Sequence, residues 1–599
     1  MTLHRRIALV LGLALAAPLL ALAAHVSTAP QAFRVRPVRI TTQVAPEGLP
    51  GPATCVVDAD LYVPKAVDRH NPAPALLMTN GFGGSKEQVA GLAALLARRG
   101  YVVLGYSGLG FGARPGTPGS SCQITFDDRD HDGLAASQLV DFLAGLRRAD
   151  DGTRVDYVQR DKIAHDGRHH AGDIRVGMIG VSYGGEVQFA AAAVDPRIDT
   201  IVPLTTWNDF AYSLTPNDAA VQDASLDNHV PGAAKVPWTR IFLGNQAPPG
   251  ARSAASAHTG PHLDLCDDMR RAMSLVDERG YADPGAQAAL RRGSVASYVS
   301  QVRVPVLLGQ GETDALFPLR EAIATYSALR AQGTPVRMIW QHWGHGTDPL
   351  PGEYSQTHDG TYEGLEIAHW FDYWLRGRGS RPPLDFTYYA DWRDTGDDGR
   401  AFLSAPSYPL PGTTTLWASG TSLHASAQAL APGSFTLATP RQATSNGPAR
   451  ILSTALVTQA PGNAAVLSTP PLLHAVDVVG VPRAVLRLSS ATVSARSPES
   501  MLVAFVKLYD VAPDGSIDPA TRLVAAIRVG DLSKPVDVAL PALVHRFAAG
   551  HRMQLVVSLT EGGYHGNAQA QVVTLATSVA APTALVLPGR VDLSAFPLS

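Results

Sequence analysis

Gly180-Val181-Ser182-Tyr183-Gly184-Gly185 constrains this chain more than any other stretch. It is preceded by the short apolar run Ile174-Arg175-Val176-Gly177-Met178-Ile179 and followed by Glu186-Val187-Gln188-Phe189 and four alanines. The first run predicts a strand and the second a helix, so the serine falls on a sharp glycine turn between them. Glycines there allow a strained backbone and a close helix approach, which leaves a serine hydroxyl exposed at a sheet edge. An ordinary glycine-rich turn is the alternative, and the choice depends on whether chemical partners follow.

A serine hydroxyl is a weak nucleophile at neutral pH and needs an imidazole to take its proton. That imidazole in turn needs a carboxylate to orient it and to stabilise the imidazolium. Both types follow Ser182 in the order acid, then histidine. Val304-Pro305-Val306-Leu307-Leu308-Gly309-Gln310-Gly311 predicts a strand, and the loop beyond it carries Glu312 and Asp314. Asp314, past the strand end and before Leu316-Phe317-Pro318, is the expected acid, with Glu312 as competitor or as a solvated loop charge. Val336 to Trp340 predicts the next strand, and His345 lies between glycines in the loop after it. His342 follows the strand too directly and reads as structural.

The oxyanion of an acyl-transfer intermediate needs hydrogen-bond donors. The amide of Tyr183 is one candidate. The second is the amide of Phe82, in Asn80-Gly81-Phe82-Gly83-Gly84-Ser85 after the apolar run Ala75 to Met78. That glycine-rich loop lacks the Gly-Lys-Ser/Thr ending of a phosphate-binding loop.

These segments, with Ile201 to Asp209, Gln310 to Pro318 and Trp343-Gly344-His345, resemble the X-prolyl dipeptidyl-peptidase and cocaine-esterase family of α/β-hydrolases. Asp510 to Gly515 and His545 to Arg552 are similar to the family's C-terminal β-domain. The resemblance covers nearly all of the chain beyond its N-terminus. It implies an α/β-hydrolase fold with a helical cap insertion, followed by an all-β, jelly-roll-like sandwich. Two departures stand beside the expected site. Family members often carry a tyrosine where this chain has Phe82, and the family's Asp-x-Arg-Gly segment is replaced by Tyr106 to Gly112. The oxyanion donors are then backbone amides, unless Tyr106, Tyr183 or Tyr212 reaches in with a hydroxyl.

With 599 residues the chain exceeds what one core supports. Strand and helix alternate over 31–205 and again over 301–378, as a parallel sheet requires. Residues 206–300 read as a helical cap, in which Trp207, Asn208 and Asp209 are expected to line the substrate pocket. Residues 385–599 carry short, regularly spaced strands of a β-sandwich. Residues 1–23 read as a signal peptide: His4-Arg5-Arg6, an apolar core from Ile7 to Leu20, then Ala21-Leu22-Ala23. No other stretch is long and apolar enough to span a bilayer, so a secreted or periplasmic enzyme without a stable membrane span is expected.

Three cysteines cannot all pair within one chain. In the fold that the resemblance implies, the start of the second strand lies near the exit of the fourth, which pairs Cys55 with Cys122 and leaves Cys266 free. Neither Cys nor His spacing suggests zinc, the polar cluster His165, Asp166, His169, His170 and Asp173 reads as a solvated loop, and no cofactor is implied. A net charge of −3 gives no reason to expect nucleic acid as a partner, and the oligomeric state is left open. The expected substrate is a small ester or short peptide, including amides of peptides with proline beside the cleaved bond. Asp209, Asp218, Asp223 and Asp227 are available in the cap to grip a substrate ammonium. The competing function is a non-catalytic or carbohydrate-binding protein acting through its β-domain.

Overall fold

The computed structural model describes residues 32–45, 51–114, 116–164, 166–219, 230–244, 264–358, 360–393, 400–426, 431–439, 464–520, 523–577 and 582–597. The expected signal peptide, Asp223, Asp227 and His165 lie outside the described residues.

A ten-stranded sheet runs in the order β1-β2-β4-β3-β5-β6-β7-β8-β9-β10. Its strands are β1 (Phe33–Val44), β2 (Ala53–Pro64), β3 (Ala75–Thr79), β4 (Val102–Tyr106), β5 (Val176–Val181), β6 (Ile198–Leu204), β7 (Val306–Gly311), β8 (Val336–Gln341), β9 (Phe386–Tyr389) and β10 (Phe402–Ala405). From β4 and β3 across to β9 every neighbouring pair is parallel, whereas β1, β2 and β10 pair antiparallel. The central strands are mostly apolar because helices cover both faces: every residue of Ala75–Thr79 and of Val306–Gly311 is buried. Crossover helices include α1 (Ala90–Arg98), α2 (Leu134–Leu143) and α3 (Tyr183–Val194).

Among the described residues, the segment between β6 and β7 forms five short helices, α4 (Phe210–Leu214), α5 (Val236–Phe242), α6 (Asp267–Arg279), α7 (Pro284–Arg291) and α8 (Val295–Tyr298). Later come α9 (Leu319–Ala331) and α10 (Tyr362–Arg376). Trp370 and Phe371 of α10 are buried in the core beneath the sheet.

Met338 aligns with Phe386 in parallel register, so β9 and β10, at the start of the region 385–599 expected as β-sandwich, pair onto the edge of the first sheet. From Thr413 to Pro588 the described strands form a twelve-stranded sheet and a two-stranded one, Val476–Gly480 with Leu543–Phe547. This all-β body packs against the cap. Asp218 donates its amide to the Ala526 carbonyl at 2.8 Å and accepts the Ala526 amide on Oδ2 at 2.9 Å.

Cys55 and Cys122 form a disulfide, and the Cys266 thiol is buried. Burial pushes that thiol up to about 12.

Candidate active site

Ser182 ends the turn between β5 and α3 with φ 59° and ψ −121°, a left-handed conformation that costs a non-glycine residue on the order of 1–3 kcal/mol. The glycines around it permit this. A Cβ on Gly180 would stand 2.3 Å from the Gly184 carbonyl oxygen, and one on Gly184 would stand 2.4 Å from that of Thr79. The Ser182 amide donates to the Leu204 carbonyl at 2.8 Å, which anchors the turn to β6.

His345 follows β8, and its Nε2 lies 2.8 Å from Ser182 Oγ. Its Nδ1 lies 2.7 Å from Asp314 Oδ2. A carboxylate only accepts, so the ring proton sits on Nδ1 and leaves Nε2 free to accept from the serine hydroxyl. Asp314 is wholly buried. Its Oδ1 accepts the amides of Leu316 and Phe317 at 2.9 and 2.8 Å, and Oδ2 also accepts the His345 amide at 3.1 Å. Four donors thus fix the carboxylate's plane. Phe317 stands edge-on to the His345 ring at 5.0 Å and Trp238 of α5 at 6.0 Å, walling the imidazole with apolar surface.

Glu312 does not compete for the histidine. Its Oε1 is buried without a hydrogen-bond partner, and burial raises its carboxyl well above the usual range, with Glu353 and Asp391 adding to the effect. It is therefore no solvated loop charge. His342 donates its amide to the Glu353 carboxylate, away from Ser182.

The loop after β3 crosses beside the serine: a Cβ on Gly81 would lie 3.8 Å from that of Ser182. The loop is held by its neighbours, Gly81 N–H donating to Gln88 Oε1 at 2.9 Å and Gly108 N–H to Asn80 Oδ1 at 3.0 Å. The Phe82 amide donates no hydrogen bond among the described residues. The Tyr183 amide, first in α3, has no carbonyl one turn earlier to accept it. Both N–H groups remain available beside the serine. The ring of Phe82 stacks on Phe126 at 5.1 Å and meets Phe111 and Phe242 edge-on at 5.4 and 4.9 Å.

The three expected pocket residues take a different place. Trp207, Asn208 and Asp209 are all buried, and each turns its polar groups inward. Trp207 Nε1 donates to the Gly293 carbonyl at 2.8 Å, and its ring packs on Phe317 at 4.9 Å. Asn208 donates its amide to Glu321 and its side chain to Thr325. Asp209 caps α4 by accepting the Ala211 and Tyr212 amides and pairs with Arg291. Trp207 reaches the site through Phe317, whose ring meets His345 edge-on. Asp218 is engaged likewise, accepting the Tyr212 hydroxyl at 2.6 Å.

Sequence reasoning did not single out Trp238, Phe242, Phe111 and Phe126. The only local signal was that Phe111 and Phe126 follow glycine-rich or polar loops beyond β4, and nothing in their spacing says that they meet. Among the described residues one group of candidate metal ligands comes together, Cys55, Cys122 and His131, and its two thiols are already joined to each other. No described helix is long and apolar enough to cross a membrane.

Residues 53–347 match the X-Pro dipeptidyl-peptidase (S15 family) profile, and residues 387–565 match the X-Pro dipeptidyl-peptidase C-terminal non-catalytic domain. The chain belongs to the X-Pro dipeptidyl-peptidase family. It is a serine hydrolase of α/β-hydrolase fold with a C-terminal all-β domain, and it acts on peptide or ester bonds. The inert, carbohydrate-binding alternative finds no support in these matches.

Among similar solved structures, two cover nearly all of this S15-family chain. One is an α-amino acid ester hydrolase, 15% identical with TM-score 0.62, covering 95% of this chain and 100% of its own. The other is an aminopeptidase from a marine sediment archaeon (Thaumarchaeota archaeon), 14% identical with TM-score 0.59, covering 93% of this chain and 96% of its own. At such identities the likeness is one of fold. No curated protein sequence gives a significant match.

Proposed function

We propose that this S15-family hydrolase works through a covalent acyl-enzyme on Ser182, with His345 as general base and Asp314 as the carboxylate that orients it. The observation that carries this reading is the unbroken chain from Ser182 Oγ through His345 to Asp314, with contacts of 2.8 and 2.7 Å. His345 Nε2 takes the serine proton as Oγ attacks the acyl carbon, then returns it to the departing alcohol or amine. Water repeats the sequence to release the acid. The amides of Phe82 and Tyr183 receive the oxyanion, each worth about 3–4 kcal/mol on the scale of comparable enzymes.

The rings around the serine support an apolar acyl group as the part of the substrate held next to the reacting carbon. Phe82 and Trp238 are only partly buried in that ring cluster and so retain apolar surface for it. We also assign the protein to the secreted or periplasmic space, with residues 1–23 as a signal peptide. The Cys55–Cys122 disulfide supports an oxidising compartment.

A fluorophosphonate should label the protein once, and Ser182→Ala should abolish both labelling and turnover. Labelling that survives the substitution refutes the assignment. Rates on p-nitrophenyl acyl esters of increasing chain length, set against Xaa-Pro-p-nitroanilides, then separate ester from peptide specificity.

A further inference from the structure

Lys235 is the residue that leads into α5, and its ammonium is buried, with the residue only 6% exposed. A buried ammonium ordinarily sits against a carboxylate. Among the described residues no carboxylate lies at ion-pair distance from this one. Nζ instead donates to two backbone carbonyls, Ala315 at 3.0 Å and Leu316 at 2.9 Å. These carbonyls belong to the two peptide groups whose N–H ends, on Leu316 and Phe317, donate to Asp314 Oδ1 at 2.9 and 2.8 Å. Each peptide group is therefore held between a cation on its oxygen and an anion on its hydrogen.

We propose that Lys235 is a positioning residue for the Ser182–His345–Asp314 site, acting on Asp314 through the two peptide groups 315–316 and 316–317. An ammonium on a carbonyl oxygen draws electron density toward that oxygen and leaves the N–H of the same peptide a stronger donor. Both polarised N–H groups converge on one carboxylate oxygen, so the ammonium stabilises the ionised Asp314 and fixes the plane in which its other oxygen meets His345. Burial brings the ammonium down to about 8, and the carboxylates Glu321, Asp314 and Asp218 act against that effect.

The arrangement also ties the acid loop to the rest of the molecule. The Lys235 amide donates to the Leu214 carbonyl at 2.8 Å, and its backbone bridges Tyr564 of the β-body. The cap and the C-terminal domain thereby share one residue with the catalytic loop.

This inference rests on Asp314 acting through His345, and the test separates the two. The kcat for a p-nitrophenyl acyl ester is measured for the wild type, Lys235→Met, Asp314→Asn and the double variant, together with the rate of fluorophosphonate labelling at Ser182. Lys235→Met should lower kcat about 10- to 100-fold with KM changed by less than about 3-fold. In the Asp314→Asn background the same change should cost less than about 3-fold, because the group it acts on is gone. An equal loss in both backgrounds would mark Lys235 as merely structural and overturn the proposal. So would a kcat within about twofold of wild type for Lys235→Met. If the methionine variant does not fold, Lys235→Gln, which keeps N–H donors and removes the charge, is carried through the same cycle with the same expectations. Should Asp314→Asn alone leave kcat unchanged, it is the reading of the triad that fails.

Discussion

Arg291 Nε lies 2.8 Å from Asp209 Oδ2, which joins the end of α7 to the start of α4. The same carboxylate accepts the Ala211 and Tyr212 amides through Oδ1. Burial raises the Asp209 carboxyl, and Arg291 is the largest influence holding it down. Asp209 thus has a cation already, supplied by its own chain.

Asp209→Ala should therefore destabilise the fold rather than change substrate charge preference. Removing one partner of a buried pair, together with a helix cap, costs about 3 kcal/mol, reduced from the fully buried case because Arg291 keeps some solvent contact. Chemical denaturation measures this. A loss of affinity confined to substrates with a free ammonium, without loss of stability, would return Asp209 to the pocket.

Asp314 and Glu312 should respond oppositely to amide substitution. Asp314→Asn should reduce kcat about 10⁴-fold with little change in KM, as loss of the orienting carboxylate does in serine hydrolases. Glu312→Gln should leave kcat nearly unchanged. If the order were reversed, the acid would be Glu312.

Glu312→Gln should also stabilise the protein in a pH-dependent way. The folded state holds the Glu312 proton more tightly than the unfolded chain, whose value is near 4.5. Between that value and the raised one, the unfolded state ionises first, and wild-type stability falls as pH rises. Glutamine does not ionise, so the variant's advantage should be absent at pH 4 and grow toward neutrality. Urea midpoints at both pH values measure it.

Phe82→Leu should keep most of the catalytic rate and shift preference among acyl groups, because the amide remains and only the ring wall changes. The tyrosines nearby provide the opposing test. Tyr106→Phe, Tyr183→Phe and Tyr212→Phe should each retain turnover of a small ester. A loss of about a hundredfold in any of them would move the second oxyanion donor from the Phe82 amide to that hydroxyl. Tyr212→Phe should cost stability, about 1–3 kcal/mol, since its hydroxyl donates to the buried Asp218.

Reduction of the disulfide should lower Tm without removing activity at moderate temperature. The bond spans 67 residues, and closing a loop of that length is worth about 4 kcal/mol on chain-entropy grounds. Thiol titration should find no reactive cysteine in the native protein and one, Cys266, after denaturation without reductant.

The sequence by itself determined the strand, turn and helix around Ser182, because each depends on neighbours within a few residues: an apolar run, glycines that tolerate close approach, and a helix-forming alanine tract. It also set the chain order of serine, acid and histidine at the ends of successive strands. Tertiary structure alone decided which carboxylate meets the histidine, since Asp314 and His345 are 31 positions apart and Ser182 lies 163 positions from His345. It likewise decided that Asp209 belongs to Arg291, 82 positions away, and that rings from three other segments gather beside Phe82. It also decided that Phe386 and its strand pair with β8 at the edge of the first sheet, which no local pattern shows. Local pattern reports burial and backbone preference. Which buried group satisfies which other is a property of the packed chain, where hydrogen bonding and desolvation act across distance in space and not along the sequence.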